Sequence, residues 1–169
     1  MIVRLETPRD RDSALDVERT AFDGALEAEI VEAVRDEQGS FAFVAVIDGE
    51  VVGHVQMSRA WVEETAVSAL GPIGVMPGHQ RRGIGSALVR AALAEAERRD
   101  EPAVILLGEP AYYGRLGFVP ASRFGLRDPF AGRDDGGPVV DEGFFQIALL
   151  DEDSAGLLAG EVRWHPAFG

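Results

Sequence analysis

The chain has 169 residues, 46% of them hydrophobic, and sets 16 basic residues against 29 acidic ones for a formal charge of -13. Such a chain is expected to form a single domain over residues 1–169 with a real core and a C-terminal extension at 150–169, and its charge argues against nucleic acid or an anionic membrane as partner. Neither cysteine nor lysine occurs, which excludes disulfides, thiolate nucleophiles, Cys-based metal sites, Schiff bases and the phosphate lysine of a P-loop.

MIVRL alternates as a short edge strand does, and TPRDRDSALDVERTAF follows as a helix with Thr7 as a cap, Pro8 at a first helical position and Leu15, Val17 and Phe22 on its apolar side. ALEAEIVEAVRDEQ repeats the helical pattern, with Leu26, Ile30 and Val34 as its stripe. SFAFVAVI and VVGHVQMSRAWV flank the turn DGE and predict paired antiparallel strands, and TAVSALGPIGVM predicts another strand. From Gly83 the period becomes helical through Ile84, Leu88, Ala91 and Ala92, until Pro102 stops it. AVILL is then a buried strand, PAYYGRLGF a short helix or turn, and residues 121–142 a Gly, Pro and Asp-rich connection. GFFQIALL returns as a strand and GEVRWHPAF adds a short edge strand, so the whole predicts a mixed α/β sheet. The charged amino terminus and the shortness of the longest apolar run predict neither export signal nor membrane anchor, and the lack of cysteine makes the cytoplasm the expected compartment.

The segment PIGVMPGHQRRGIGSALV carries the chemistry. A strand that enters a helix through a glycine turn leaves first-turn N–H groups without backbone partners, and the helix dipole adds partial positive charge there. Gly83 and Gly85 let an anion approach that backbone, and Arg81 and Arg82 either add charge or form surface ion pairs. A dinucleotide fingerprint fits poorly, because GIGSAL puts Leu88 where a third glycine belongs.

QRRGIG, Gln80 to Gly85, resembles the Q/R-x-x-G-x-G/A signature of the GCN5-related N-acetyltransferases, and YYGRLGF is similar to that family's Y-x-x-x-G-F segment after the next strand. Together with the tail GEVRWHPAF, the pair is similar to a subgroup of predicted N-acetyltransferases with a YYxRxGF motif. The resemblance implies a mixed, mostly antiparallel central sheet with a splayed strand pair and flanking helices, and acetyl-CoA as co-substrate. It further implies that backbone amides from Arg81 through Ser86, with Ile84 and Gly85 among them, cradle the pyrophosphate of acetyl-CoA. Gln80, Arg81 and Arg82 would flank it, and Ile73, Gly74 and Val75 would pair with the pantetheine arm, the Val75 N–H serving an oxyanion. Tyr113 takes the position of the family's proton donor to the departing thiolate, its ordinary pKa being about 10. Tyr112 competes with it or lines the cofactor.

Acyl transfer to an amine also calls for a proton acceptor. Along VVGHVQMS, Val52, His54, Gln56 and Ser58 share one strand face, which either lines an acceptor cleft, making His54 a base, or faces solvent. Glu109 and Glu63 are further candidates, His79 lies in the turn and His165 in the tail, and such scattered histidines predict no metal site. The acceptor is expected to be a small-molecule or peptide amine, with Asp23 and Glu27 suited to a cationic one. The resemblance allows a homodimer. The rival expectation keeps the fold and drops the chemistry, leaving a CoA or acyl-CoA binding module.

Overall fold

The computed structural model describes residues 1–130 and 142–169, so residues 131–141 of the expected 121–142 connection lie outside it. The chain divides into two compact units, one of Met1–Ser58, Leu70–Glu95 and Pro166–Gly169, the other of Arg59–Ala69 and Ala96–His165.

In the first unit, β1 (Ile2–Leu5) pairs antiparallel with β2 (Phe41–Ile47), Ile2 opposite Val46 and Leu5 opposite Phe43. The Asp48-Gly49 turn then leads into β3 (Glu50–Val62), which pairs antiparallel with β2, Val44 opposite His54, as alternation predicts. A register shift after Ala45 leaves Val52 as an extra residue on β3. Between β1 and β2 lie α1 (Arg11–Ala21) and α2 (Leu26–Val34).

The entry to α1 is a 3-10 turn at Pro8–Asp10 with Thr7 at its N-cap, as expected, and Asp10 closing a capping box with it. The Asp10 carboxylate accepts the Thr7 N–H and hydroxyl at 2.7 Å each and the Arg4 guanidinium at 2.7 and 2.9 Å. The Arg4 guanidinium holds that carboxyl well below the usual range, against the smaller effect of burial.

The helices depart from two expected positions. Phe22, expected on the apolar side of α1, is the C-cap and is 45% exposed. On α2 the buried stripe is Ala28, Val31 and Val34, while Leu26 is 62% exposed. Leu26 is the first residue of the helix, and helical side chains lean toward the N-terminus, so it reaches past the contact. Small Ala28 takes its place, packing with Leu15 and Val31.

In the second unit, the end of β3 and the start of β4 (Thr65–Val75) lead the sheet. There β4 runs parallel to β5 (Ala103–Leu107), with Ser68 opposite Val104 and Ala69 opposite Ile105. Parallel neighbours need a crossover, and α3 (Ile84–Arg98) is the helix between them in sequence. The short α4 (Pro110–Gly114) and β6 (Val119–Pro120) follow, then β7 (Leu126–Arg127). The outer strands are β8 (Phe145–Leu149), antiparallel to both β5 and β6, and β9 (Gly160–Arg163), antiparallel to β3 and parallel to β7. Thus the stretch read as a plain connection holds β7 and a 3-10 turn at Ala121–Phe124 within its described part. Val62, Val67, Ile105, Phe145, Ile147 and Leu158 form the core of this unit. Among the described residues no helix is long and apolar enough to cross a membrane.

Candidate active site

The strand-to-helix junction lies within the first unit and is built as the motif predicts. The Met76 N–H donates to the Val52 carbonyl at 2.8 Å, tying the end of β4 to β3. A 3-10 turn at Pro77–His79 follows, and the Gln80 side-chain amide donates back to the Val75 carbonyl at 3.0 Å. Gln80 therefore braces the strand end. Arg81 takes φ 60° and Gly83 φ 79°, so the loop turns twice through left-handed backbone before the helix opens. For a non-glycine residue such as Arg81 this costs about 1 kcal/mol or more, the kind of strain found at functional turns.

The Ala87 N–H closes the first helical turn on the Gly83 carbonyl at 3.0 Å. In a helix of 15 residues the dipole points positive at this end. A Cβ built on Gly83 meets no atom within 4 Å, so the backbone lies open where a phosphate would approach. Below the turn, Ile84 at 2% exposure and Leu88 at 0% anchor the helix, both lying against Gly53 of β3. Arg81 and Arg82 are exposed beside the opening. The residues present fit a pyrophosphate held by backbone amides.

The other face of β3 carries a feature the sequence left open. His54 and Gln56 are 0% exposed and Ser58 1%, so the polar face is buried, not turned to solvent. Against it stands Glu18 of α1, also 0% exposed, with Oε1 2.6 Å from His54 Nδ1. Burial raises the Glu18 carboxyl above its ordinary range, the contact with His54 opposes that rise, the charge of Glu27 adds to it, and the Gly74 amide opposes it slightly. Gly74 is buried, and a Cβ built there would lie 2.9 Å from Glu18 Oε2, so only glycine lets β4 approach this carboxylate. Glu18 Oε2, His54 Nε2, Gln56 Oε1 and Ser58 Oγ have no hydrogen-bond partner, although the Gln56 amide nitrogen donates to the carbonyls of Phe41 and Met57. Glu18 was missed from sequence. Its legible sign was a carboxylate sharing the buried stripe of α1 with Ala14, Leu15 and Val17.

Tyr112 and Tyr113 belong to the second unit, on α4, whose N-cap Glu109 accepts the Ala111 N–H. The Tyr113 ring meets Tyr112 and Phe118 edge-on at 4.9 and 5.7 Å, and lies so close to Gly108 that a Cβ there would be 2.8 Å from Cδ2. Burial, with a smaller push from Tyr112, raises the Tyr113 phenol to about 12, a weaker acid than its ordinary value suggested. Glu63 is engaged elsewhere, its Oε1 accepting the Glu161 N–H at 3.0 Å. Among the described residues no three His, Asp or Glu side chains are grouped to hold a metal ion.

A strand ended by a left-handed glycine turn at the mouth of a crossover helix, within a mostly antiparallel mixed sheet, is the setting in which the motif's anion-binding amides are expected. The chain belongs to the acetyltransferase (GNAT) family, whose model matches residues 10–118. It is 29% identical over 172 residues to the N-acetyltransferase YhbS of Escherichia coli K12, a match covering 99% of this chain and 98% of that one. The crystal structure of the Escherichia coli YhbS in complex with CoA superposes with a TM-score of 0.85 at 29% identity, covering 99% of this chain and 91% of that chain. A GNAT-family acetyltransferase from Brucella melitensis in complex with acetyl-CoA gives a TM-score of 0.79 at 29% identity, over 99% and 97% of the two chains.

Proposed function

We propose that the protein acetylates a cationic amine, free or peptide-borne, by direct transfer from acetyl-CoA in a ternary complex with no covalent enzyme intermediate. The observation that carries this reading is the opening over Gly83 at the start of α3, where backbone amides and helix dipole suit a pyrophosphate. The thioester then lies along Ile73, Gly74 and Val75, and the Val75 N–H donates to its carbonyl oxygen as negative charge develops. One such donor contributes on the order of 3 kcal/mol to a transition state. Gln80, by holding the Val75 carbonyl, keeps that strand end in place.

The neutral amine attacks the carbonyl carbon, the N–C bond forms, the C–S bond breaks, and nitrogen gives up a proton. His54 receives that proton through water, since a side chain at 0% exposure does not touch the acceptor directly. Tyr113 keeps the role that the family resemblance implies, proton donor to the departing sulfur. With its phenol at about 12 it is protonated at every working pH, and it serves the thiolate first as a hydrogen-bond donor. Acidic residues Asp23 and Glu27 between and on the first two helices favour a positively charged acceptor, in keeping with a formal charge of -13. The absence of cysteine supports a cytoplasmic setting, and the dimer suggested by resemblance is a matter for light scattering.

The test is release of free CoA thiol from acetyl-CoA by the purified protein over a panel of polyamines, aminosugars, amino acids and peptides. Amine-dependent release, with the acetylated amine found by mass spectrometry, is the expected result. Tight acetyl-CoA binding with no turnover over the panel would favour a binding module instead.

A further inference from the structure

We propose that Glu18 is the positioning residue of a buried proton-accepting pair: its carboxylate takes the Nδ1–H of His54 and leaves Nε2 as the lone pair that receives the amine's proton. The geometry carries this. Glu18 Oε1 and His54 Nδ1 are 2.6 Å apart, which requires one proton between them. Both side chains are 0% exposed, so the contact is not a surface ion pair that water can replace. His54 Nε2 is buried without a partner, an arrangement that costs free energy and calls for an explanation in a native structure. Gln56 Oε1 and Ser58 Oγ, on the same face of β3, are likewise unpartnered, and buried polar atoms of this kind are where bridging waters bind. Gly74 keeps β4 from displacing the carboxylate, since any Cβ there would crowd Oε2.

The charge balance points the same way. A carboxylate beside a neutral imidazole is a buried monoanion, and low polarity disfavours it. A proton taken up at Nε2 turns it into an internally neutral ion pair. The groups facing the pair are Glu27 of α2, whose negative charge raises the Glu18 carboxyl, and the Gly74 amide of β4, which lowers it slightly. No oxidant, metal or further reactant is needed: the proton leaves nitrogen as the N–C bond forms, and the pair returns it to water or to the departing sulfur.

Two experiments on the full chain test the pair, which as a proton acceptor rests on the acetyltransferase reading above. The first needs no turnover. Side-chain nitrogen NMR of His54, assigned against His54→Gln with His79 and His165 as internal references, is expected to find the proton on Nδ1 alone at neutral pH. A proton on Nε2, or on both nitrogens, would overturn the proposal whatever the enzyme does. The second is kinetic: Glu18→Gln is expected to lower kcat about 10- to 100-fold with KM for acetyl-CoA unchanged, as loss of an orienting partner does. His54→Gln loses on the order of 10²- to 10⁴-fold, and the double variant loses no more than His54→Gln alone. Losses that multiply, or a raised KM with kcat unchanged, would leave Glu18 a packing residue and sink the idea. Should Glu18→Gln fail to fold, Glu18→Asp and the tautomer in the parent decide. Absence of turnover with any amine would contradict the acetyltransferase reading, and the tautomer would still be decided separately.

Discussion

At the β4–α3 junction an open backbone turn at Gly83 sits beside the buried anchors Ile84 and Leu88, whereas on the other face of β3 polar side chains are turned inward and sealed between α1 and the strand. The junction handles charge by exposing an unfilled dipole, which costs little until an anion arrives. The buried face handles charge by desolvating Glu18 and His54, which costs free energy continuously and raises the Glu18 carboxyl above its ordinary range. The contrast suits a division of labour. On the roles proposed above, one region would bind a charged group that comes and goes, and the other would hold a proton that must move within a catalytic cycle.

The largest expected effect breaks the first region and spares the second. Gly83→Glu places a carboxylate in the open space over the turn and forces a side chain onto φ 79°. Calorimetry should find acetyl-CoA affinity lowered at least ~100-fold, about 3 kcal/mol, with the His54 tautomer unchanged. A variant in neither region comes next. Tyr113→Phe keeps the packing of the ring but removes its hydroxyl, and is expected to lower kcat roughly 10- to 100-fold while acetyl-CoA binding stays within a factor of about two.

Gly74→Ala strikes the buried face where the strand meets it. Its Cβ would crowd Glu18 Oε2 and Ala21, and denaturant melts should find it ~1–3 kcal/mol less stable, as overpacked cores are. The smallest effect compares two carboxylates at either end of one helical segment. Asp10, held low by Arg4, contributes stability above its ordinary value near 3.8 and loses it as pH falls through its lower folded value. The stability gap between parent and Asp10→Asn should therefore close in acid. Glu18, raised by burial, contributes stability below its ordinary value near 4.5 and loses it as pH rises through its higher folded value. Glu18→Gln should thus gain on the parent as pH rises from acid toward neutrality. Urea melts across that range check both, and gaps that change in the same direction with pH would refute the contrast.

What the sequence disclosed follows the same division. QRRGIG is contiguous, and its glycines, strand before and helix after are all local signals, so the strand, glycine turn and helix were legible from one short stretch. The hairpin around Asp48-Gly49 and the buried AVILL strand were local as well. Alternation along β3 correctly grouped His54 with Gln56 and Ser58, but periodicity says which residues share a face and not what covers it. Glu18 lies 36 positions from His54, and only tertiary packing brings them together. The same limit explains Leu26: helical spacing named an apolar stripe, and the packing of Leu15 with Ala28 chose a neighbouring one. For Tyr113, the raised phenol comes from rings folded over it, which no residue spacing reports.

That backbone amides at the start of α3 hold acetyl-CoA is tested most directly by amide NMR of the labelled protein titrated with CoA. The largest saturable shifts are expected at Arg81, Arg82, Gly83, Ile84, Gly85 and Ser86, with loss of those shifts in Gly83→Glu. CoA binding that leaves these amides unmoved, or that persists undiminished in the variant, would contradict it.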